Sequence, residues 1–388
     1  MAKYFKCITN KNPTAYSVGE EIIFSVWAKE AGEKITCGAV KWSLAGDDGE
    51  TLCGEGAITP DSPLTLSYTL QRAGFVHLIC TAVDKNGEKL EGFDPLEASA
   101  GADILSLTYS DTLPEDFEEY WREIETMVAD FTPEVIYYQE KAAPAGFKAY
   151  YVKVSTPSGM PASGCISVPQ GEGTYPIRTV FIGYGYNPAS FEYHKGEIWA
   201  CFNAHGFEND KTTEELTELY EKTIGYYGFI DEDNASNKTT YFRNMMIRNL
   251  VALKYVKTLP EWNGKELIAV GGSQGGLQAI TVAAHDKDVT GVIVAKPWLC
   301  DLKSVDEGYL RGWRPNVAEG LRYFDTVAQG MHLTCPVQIS CALGDYVCPP
   351  KTVMALYNSI KSEKRITFTQ SATHSYTPPE DETVETWF

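Results

Sequence analysis

The first hundred residues alternate between hydrophobic and polar positions with the two-residue period of half-buried β-strands. One such set is Ile22, Phe24, Val26 and Ala28. Further alternating runs lie at 40–44, 64–70 and 75–83. Segments rich in Gly, Asp, Asn and Pro separate the runs, at 46–49, 59–63 and 84–87. Short strands with regular turns and no helical period predict an antiparallel β-sandwich over residues 1–105.

The pattern changes after residue 106. Hydrophobic residues between 117 and 128 recur at helical spacing and predict an amphipathic helix packed on a core. Strand-like and helix-like segments then alternate, which predicts an α/β domain over 106–388 with a mostly parallel sheet covered on both faces. The predicted strands are 134–139, 147–154, 162–168, 178–183, 197–203, 266–270, 291–296, 337–342 and 365–369. The predicted helices are 211–223, 240–257, 274–284 and 350–361.

Length and charge narrow the classes of function. A chain of 388 residues favours two domains. Its 52 acidic and 33 basic residues leave a net charge of -19, which disfavours nucleic acid and membrane surfaces as partners. No window approaches the roughly 20 apolar residues of a membrane span.

Ten scattered cysteines, several inside apolar runs, are typical of buried free thiols in a reducing compartment. The first residues lack the apolar stretch of a secretory signal, so the sequence predicts a cytoplasmic protein unless a signal has been trimmed from it. Neither a CxxC pair nor a His/Cys cluster indicates a metal site.

The strongest chemical signal is the segment 267–276, Leu-Ile-Ala-Val-Gly-Gly-Ser-Gln-Gly-Gly. An apolar strand leads into Gly-x-Ser-x-Gly, and a plausible helix follows, which is the context that a nucleophile elbow requires. Strand and helix nearly touch in such a turn, so only glycine fits at 271 and 275. The context predicts Ser273 as a nucleophile, whereas an idle serine in a glycine-rich turn is the alternative.

A serine hydroxyl needs a base, and in this arrangement the acid and then the histidine follow the serine along the chain. Of six histidines, His374 lies directly after the last predicted strand and fits the base best. Asp345, after strand 337–342, is the predicted acid. Asp301, after strand 291–296, is the fallback, and a helix-capping role is the alternative for Asp345.

Attack on an ester carbonyl builds negative charge on oxygen, which requires preorganised N–H donors. One expected donor is the backbone N–H of Gln274, directly after the serine. The second is expected from the loop Gly183-Tyr184-Gly185-Tyr186-Asn187 after strand 178–183, whose glycines let backbone approach a substrate.

These residues resemble a known family, the acetyl xylan esterases that also act as cephalosporin-C deacetylases. The resemblance spans roughly 109–388 and implies the α/β-hydrolase fold, with Ser273, Asp345 and His374 as the triad and the N–H groups of Tyr184 and Gln274 as the oxyanion hole. The segments that carry it are 113–121, 181–184, 271–276, 296–300, 323–325 and Gly344-Asp345-Tyr346-Val347-Cys348-Pro349-Pro350.

The chain also departs from that family. Its members usually carry Arg-Gly-Gln after the fourth parallel strand, where this chain has Ala204-His205-Gly206, and their histidine usually precedes glutamate rather than Ser375. Only fourteen residues follow His374, so a short last helix is expected. The front domain, similar to an immunoglobulin-like domain, lies outside the usual pattern. The departures leave the natural substrate and the family's ring-like homo-oligomer open.

The leading interpretation is a serine esterase that hydrolyses small acyl esters, favouring acetyl groups on a sugar, through an acyl-enzyme and without cofactor or metal. Tyr184 and Trp298 are expected to close the acyl pocket. The β-domain is expected to pack on the catalytic domain as a scaffold, an oligomer contact or a rim of the site. A serine peptidase is the main alternative, and a non-catalytic binding protein is a weaker one.

Overall fold

A computed structural model describes residues 2–381 and 383–386. Between residue 2 and the first short 3-10 turn at Ile104–Ser106, the regular elements are all strands. Strands β1, β2, β3 and β6 form one antiparallel sheet, and β5, β4, β7 and β8 form the other in that order. Their bounds are β1 Lys3–Thr9, β2 Glu21–Glu30, β3 Glu33–Ile35, β4 Cys37–Gly46, β5 Thr51–Ile58, β6 Leu64–Thr69, β7 Gly74–Ala82 and β8 Leu96–Ala102.

The alternating pattern of β2 explains the core of this sandwich. Ile22, Phe24, Val26 and Ala28 are all buried, whereas the residues between them are partly exposed. The same core takes in residues of β4, β6, β7 and β8, so the two sheets bury their hydrophobic positions against each other. The all-β architecture is therefore the one that the alternation predicts. Cys37 and Cys80 are both buried free thiols.

The remainder of the chain builds one ten-stranded sheet in the order β18-β17-β16-β15-β14-β12-β13-β11-β10-β9. Strands β13, β12, β14, β15, β16 and β17 run parallel to one another, and the others pair antiparallel. The strand bounds are β9 Val135–Lys141, β10 Phe147–Val154, β11 Ala162–Pro169, β12 Tyr175–Phe181, β13 Ile198–Phe202, β14 Trp262–Gly272, β15 Gly291–Ala295, β16 Val337–Ala342, β17 Lys364–Thr369 and β18 Thr383–Thr386.

Seven α-helices accompany the strands within the described residues. Their bounds are α1 Phe117–Asp130, α2 Thr213–Ile224, α3 Asp231–Asn234, α4 Tyr241–Val256, α5 Gln274–His285, α6 Thr326–Gly330 and α7 Pro350–Ser359. Helix α5 packs along β14, β15 and β12, and α4 lies beside it. Helix α1 buries Phe117, Tyr120, Trp121, Ile124 and Val128, the set that its spacing predicts.

The expectation of a short last helix is wrong for the described residues. After His374 the chain forms strand β18, which pairs antiparallel with β17 at the edge of the sheet. The edge of β17 presents unpaired backbone N–H and C=O groups, and a short strand can form its hydrogen bonds with them. The division of domains at residue 105 stays a prediction.

Parallel strands bring their carboxyl ends to one edge of the sheet, and loops from that edge form the usual ligand site of an α/β protein. The loops after β12, β14, β15, β16 and β17 meet there, and they carry all the sequence-predicted site residues. Among the described residues, no helix combines the length and the apolar character that crossing a bilayer requires.

Candidate active site

Ser273 occupies a sharp turn between β14 and α5. Its backbone has φ 54° and ψ -123°, a left-handed conformation that is uncommon for a residue with a side chain. The neighbouring glycines make the turn possible. A Cβ on Gly271 would stand 2.1 Å from the carbonyl oxygen of Gly275, and one on Gly275 would stand 2.2 Å from that of Phe181. The chain therefore forms the sharp strand–turn–helix at Ser273 that its glycine spacing predicts.

The next strand fixes the backbone of this turn. The N–H of Ser273 donates to the carbonyl of Ala295 over 2.9 Å, and the N–H of Trp298 donates to the carbonyl of Ser273 over 3.0 Å. Gly276 lies against Pro297, where an added Cβ would be 3.1 Å from the proline Cα. The serine is consequently held from both the β14 and the β15 side.

Asp345 and His374 are brought together although 29 residues separate them. The Oδ2 atom of Asp345 lies 2.8 Å from Nδ1 of His374. The other oxygen, Oδ1, accepts the backbone N–H groups of Val347 at 2.9 Å and Cys348 at 3.0 Å. The carboxylate is buried, whereas the histidine side chain keeps 28% exposure. This geometry orients the imidazole and leaves Nε2 as the ring nitrogen for proton exchange.

Cys348 connects this pair to the serine. The Ser273 side chain is among the groups that act on the pKa of its thiol, so the two side chains are neighbours. The Cys348 sulfur, a ring nitrogen of His374 and a carboxylate oxygen of Asp345 lie within 4.8 Å of one another. Ser273 therefore lies near the Asp345–His374 pair, with Cys348 between them. Burial raises the pKa of the Cys348 thiol well above its usual range, so that the neutral thiol packs in the site and does not compete as a nucleophile.

The fallback acid Asp301 lies in a different network. Its carboxylate is fully buried and pairs with the ammonium group of Lys351, and it also accepts the N–H of Ser110 at 2.9 Å. Next to it, burial and the charge of Asp301 raise the pKa of Asp325 to about 7. The structure thus places Asp301 in a buried ion pair, whereas Asp345 is the carboxylate that contacts His374.

The other five histidines have other partners. His285 stacks on Trp121, and His332 stacks on Phe117. His194 lies 2.9 Å from Glu192. The remaining two histidines, His77 and His205, are buried.

Lys296 is a site residue that the chemical argument from the sequence missed. It follows β15 with φ 48°, and its ammonium group donates to the carbonyls of Thr373 at 2.9 Å and His374 at 2.6 Å. These bonds fix the backbone of the base loop, which we define as residues 370–376. The sequence offered one signal for this residue, the family-like segment 296–300, but that segment by itself does not indicate a role for Lys296.

The two expected oxyanion donors flank the serine. Gln274 is the first residue of α5, where a backbone N–H has no partner inside the helix. The loop after β12 approaches from the opposite side, since a Cβ on Gly183 would lie 3.8 Å from Cβ of Ser273. Tyr184 follows Gly183 at this point of closest approach. The structure therefore brings both predicted residues close to Ser273.

The loop 183–187 is anchored from behind. The N–H of Gly185 donates to the Tyr227 hydroxyl at 2.9 Å, and that hydroxyl lies 3.3 Å from Oε1 of Gln274. Nε2 of His205 lies 3.1 Å from the Gly185 carbonyl, and Nδ1 lies 2.6 Å from the Tyr241 hydroxyl. Because a carbonyl can only accept, Nε2 carries the proton.

His205 is one of the departures noted in the sequence, and it is neutral here. Burial, assisted by the charge of Arg248, lowers the pKa of His205 to about 3. Arg248 itself donates to the Ala204 carbonyl at 2.7 Å. A neutral histidine with one donor and one acceptor can therefore link the loop 183–187 to helix α4.

Aromatic side chains cluster around Tyr184. The ring of Tyr184 stacks on Tyr227 at 4.5 Å and meets Trp313 edge-on at 4.7 Å. Phe229 packs on Trp313 at 4.6 Å. Trp298, which was expected at the pocket, is buried behind them. Trp313 was not singled out in the sequence because it follows no motif and lies in a segment without regular structure.

Comparison with known proteins places this geometry in a family. A sequence model described as acetyl xylan esterase matches residues 104–388, which is most of the chain. The chain belongs to the acetyl xylan esterase family. Members of this family are carboxylic ester hydrolases, the class that the sequence favours.

An acetyl esterase of Xylanibacter ruminicola, Axe7A, is 27% identical over 297 residues, which is 71% of this chain and 66% of that protein. The chain thus spans slightly less than two thirds of the length of that relative.

Solved structures of acetyl xylan esterases share the fold. The enzyme from Thermoanaerobacterium sp. JW/SL YS485 superposes with a TM-score of 0.59 at 22% identity, over 71% of this chain and 93% of its own. The enzyme from Paenibacillus sp. R4 gives 0.59 at 19% identity, over 71% and 94%. The α/β-hydrolase fold of the catalytic part is therefore shown, with the all-β part at the front of the chain outside the family match.

Proposed function

We propose that this acetyl xylan esterase family member is a serine esterase that removes acetyl groups from carbohydrates. The observation that carries the proposal is the Asp345–His374 hydrogen bond of 2.8 Å, formed at the same edge of the sheet as the strained turn at Ser273. A carboxylate, an imidazole and a serine in this order form the apparatus of acyl transfer.

The proposed reaction begins at Ser273. Nε2 of His374 takes the hydroxyl proton as the serine oxygen attacks the acetyl carbonyl, and Asp345 stabilises the imidazolium that forms. The backbone N–H groups of Tyr184 and Gln274 are the proposed donors to the oxyanion, and the N-terminal end of α5 adds its dipole. The tetrahedral species then collapses, the C–O bond to the sugar breaks, and the sugar oxygen receives the proton from His374.

Deacylation reverses these roles. Water gives a proton to His374 and attacks the acetyl-serine, and the second tetrahedral species releases acetate while the proton returns to Ser273. The net reaction consumes one water and yields acetate and the free sugar hydroxyl. Each step uses only groups of the chain and water.

The aromatic rings around Tyr184 support acetyl as the acyl group. Tyr184 and Trp313 meet edge-on, and bulky rings in the loop beside Ser273 are expected to close the site to a long acyl chain. The leaving-group side is left to the sugar, and its identity is part of the proposal.

The test compares acetate release from acetylated xylo-oligosaccharides with cleavage of an aminoacyl p-nitroanilide. We expect acetate release by the native chain, and none above background from the Ser273→Ala variant as matched control. Cleavage of the anilide with a kcat/KM equal to or above that for the acetyl esters would instead identify a serine peptidase. Absence of both activities in a folded native chain would contradict an enzymatic role.

A further inference from the structure

The loop that carries Asp345 lies directly against the N-terminal sandwich. Tyr346, the next residue, stacks its ring on His77 of β7 with 3.5 Å between centroids and 13° between planes. The Tyr346 hydroxyl lies 3.3 Å from Oγ of Ser99 on β8. Two strands of the β-domain thus hold the side chain adjacent to the acid.

His77 is buried, and its Nε2 lies 3.0 Å from the carboxylate of Glu97 without the alignment of a hydrogen bond, so the stack on Tyr346 is the contact that defines its position. Burial lowers the pKa of His77, against the opposing influence of Glu97. A ring stacked on a tyrosine is a packing contact with a defined plane, and its geometry restricts the orientation of Tyr346.

Gly344, on the other side of Asp345, shows how close the two domains come. An added Cβ would stand 2.4 Å from the carbonyl oxygen of Glu97 and 3.0 Å from that of Ala372. The Gly344 N–H donates to the Ala372 carbonyl at 3.0 Å. Backbone from β8, from the acid loop and from the base loop is therefore in contact at one point.

The base loop is also tied to the sandwich. The N–H of Ser99 donates to the carbonyl of Gln370 at 3.3 Å, and the Gln370 amide donates to Thr9 Oγ1 at 3.1 Å. Two residues beyond His374, the hydroxyl of Tyr376 donates to Asp94 at 3.1 Å. The loop is thus anchored on both sides of His374 by residues before position 105.

We propose that the N-terminal β-domain sets the geometry of the Asp345–His374 pair, with His77 and Tyr346 as its positioning residues. The inference rests on the proposed function, in which this pair supplies the acid and the base. Loops are the more mobile parts of a fold, whereas a productive pair must be held to about 0.5 Å. Contacts to a second, rigid sheet meet that requirement, and they give the front domain a role in turnover.

The first experiment replaces each half of the stack. His77→Ala and Tyr346→Leu remove the ring pair, whereas His77→Phe and Tyr346→Phe keep two stacked planar rings. Turnover of p-nitrophenyl acetate is measured per active site, counted by titration with a serine-directed phosphonate. We expect kcat to fall by about 10- to 100-fold in the first two variants with KM little changed, because a small misplacement far from the chemistry can cost that much. The two phenylalanine variants should recover most of the loss.

Leu66→Ala is the matched control, since it removes a buried side chain of similar size from β6, away from the acid and base loops. It should lower the melting temperature but leave kcat per titrated site unchanged. Equal kcat per site in His77→Ala and Leu66→Ala would overturn the proposal, as would a His77→Phe variant as slow as His77→Ala. If His77→Ala does not fold, Tyr346→Leu and Tyr346→Phe give the same comparison from the loop side.

Asp345→Asn separates this proposal from the one on which it rests. Native turnover in Asp345→Asn would remove the acid assignment, whatever the His77 variants show. Loss of turnover in Asp345→Asn together with native kcat per site in both His77→Ala and Tyr346→Leu would overturn only the positioning role.

Discussion

The indole N–H of Trp298 donates a 2.6 Å hydrogen bond to the backbone carbonyl of Trp313. The two rings lie 5.6 Å apart, yet their surroundings differ. Trp298 is 1% exposed and packs on Phe242, whereas Trp313 is 37% exposed. Trp298 therefore packs in the interior, and of these two tryptophans only Trp313 has a side chain that an external molecule can reach.

The exposure of Trp313 leads to a prediction about the length of the acyl chain that the enzyme accepts. Each methylene that the cleft cannot accept should cost about 1–3 kcal/mol in the transition state, so kcat/KM should fall from p-nitrophenyl acetate to butyrate to octanoate. Trp313→Ala should reduce that fall by opening the wall. Trp298→Ala should instead destabilise the fold by about 3–5 kcal/mol, measured by denaturant unfolding. A kcat/KM that stays equal or rises with chain length in the native chain would rule out the acetyl preference.

The nucleophile assignment predicts a selective loss. Ser273→Ala should lower kcat by several orders of magnitude, because the acyl-enzyme can no longer form, while circular dichroism and melting temperature stay close to native. A serine-directed phosphonate should add one label to the native chain, mapped by peptide mass to Ser273, and none to the variant. Substantial esterase activity in Ser273→Ala would show that another residue forms the acyl-enzyme.

Substitution of Asp345 should mainly lower activity, whereas substitution of Asp301 should mainly lower stability. Asp345→Asn should lower kcat by about 10⁴-fold, because an amide favours the wrong imidazole tautomer. Asp301→Asn leaves the buried ammonium of Lys351 without its charge partner, so it should cost about 3–5 kcal/mol of stability while the folded fraction keeps its kcat. Unfolding curves and kcat per titrated site measure both effects. The reverse pattern would make Asp301 the acid.

His205 should make stability depend on pH. Its pKa is about 3 in the folded chain and about 6.5 when unfolded, so between these values only the unfolded chain binds the proton. The stabilisation is full above about pH 6.5 and is lost as the pH falls towards 3. The melting temperature of His205→Gln should therefore fall less than that of the native chain between pH 7 and pH 4. His194→Gln, at an exposed histidine, is the control and should follow the native curve.

The turn at Ser273 and the positions of the strands show which structural features the local sequence could predict. The turn could be predicted from the spacing of Gly271, Ser273 and Gly275, because only glycine tolerates neighbouring backbone atoms at the distances found there. Strands 147–154 and 337–342 are found where the pattern predicts them. The short last helix was wrong because pairing with the free edge of β17, rather than local propensity, decided the structure of Thr383–Thr386.

The sequence by itself determined the two kinds of architecture, the elbow, and the order of serine, acid and histidine, since these depend on hydrophobic period, glycine sterics and position along the chain. Only the tertiary structure decided which carboxylate faces His374, which tryptophan stays exposed, and that His77 stacks on the residue after Asp345. Asp301 and Asp345 both follow parallel strands, so the sequence could prefer Asp345 by its position and its family-like segment but could not show its partner. Their partners, Lys351 and His374, are brought to them by contacts across 50 and 29 residues, which only the folded sheet specifies.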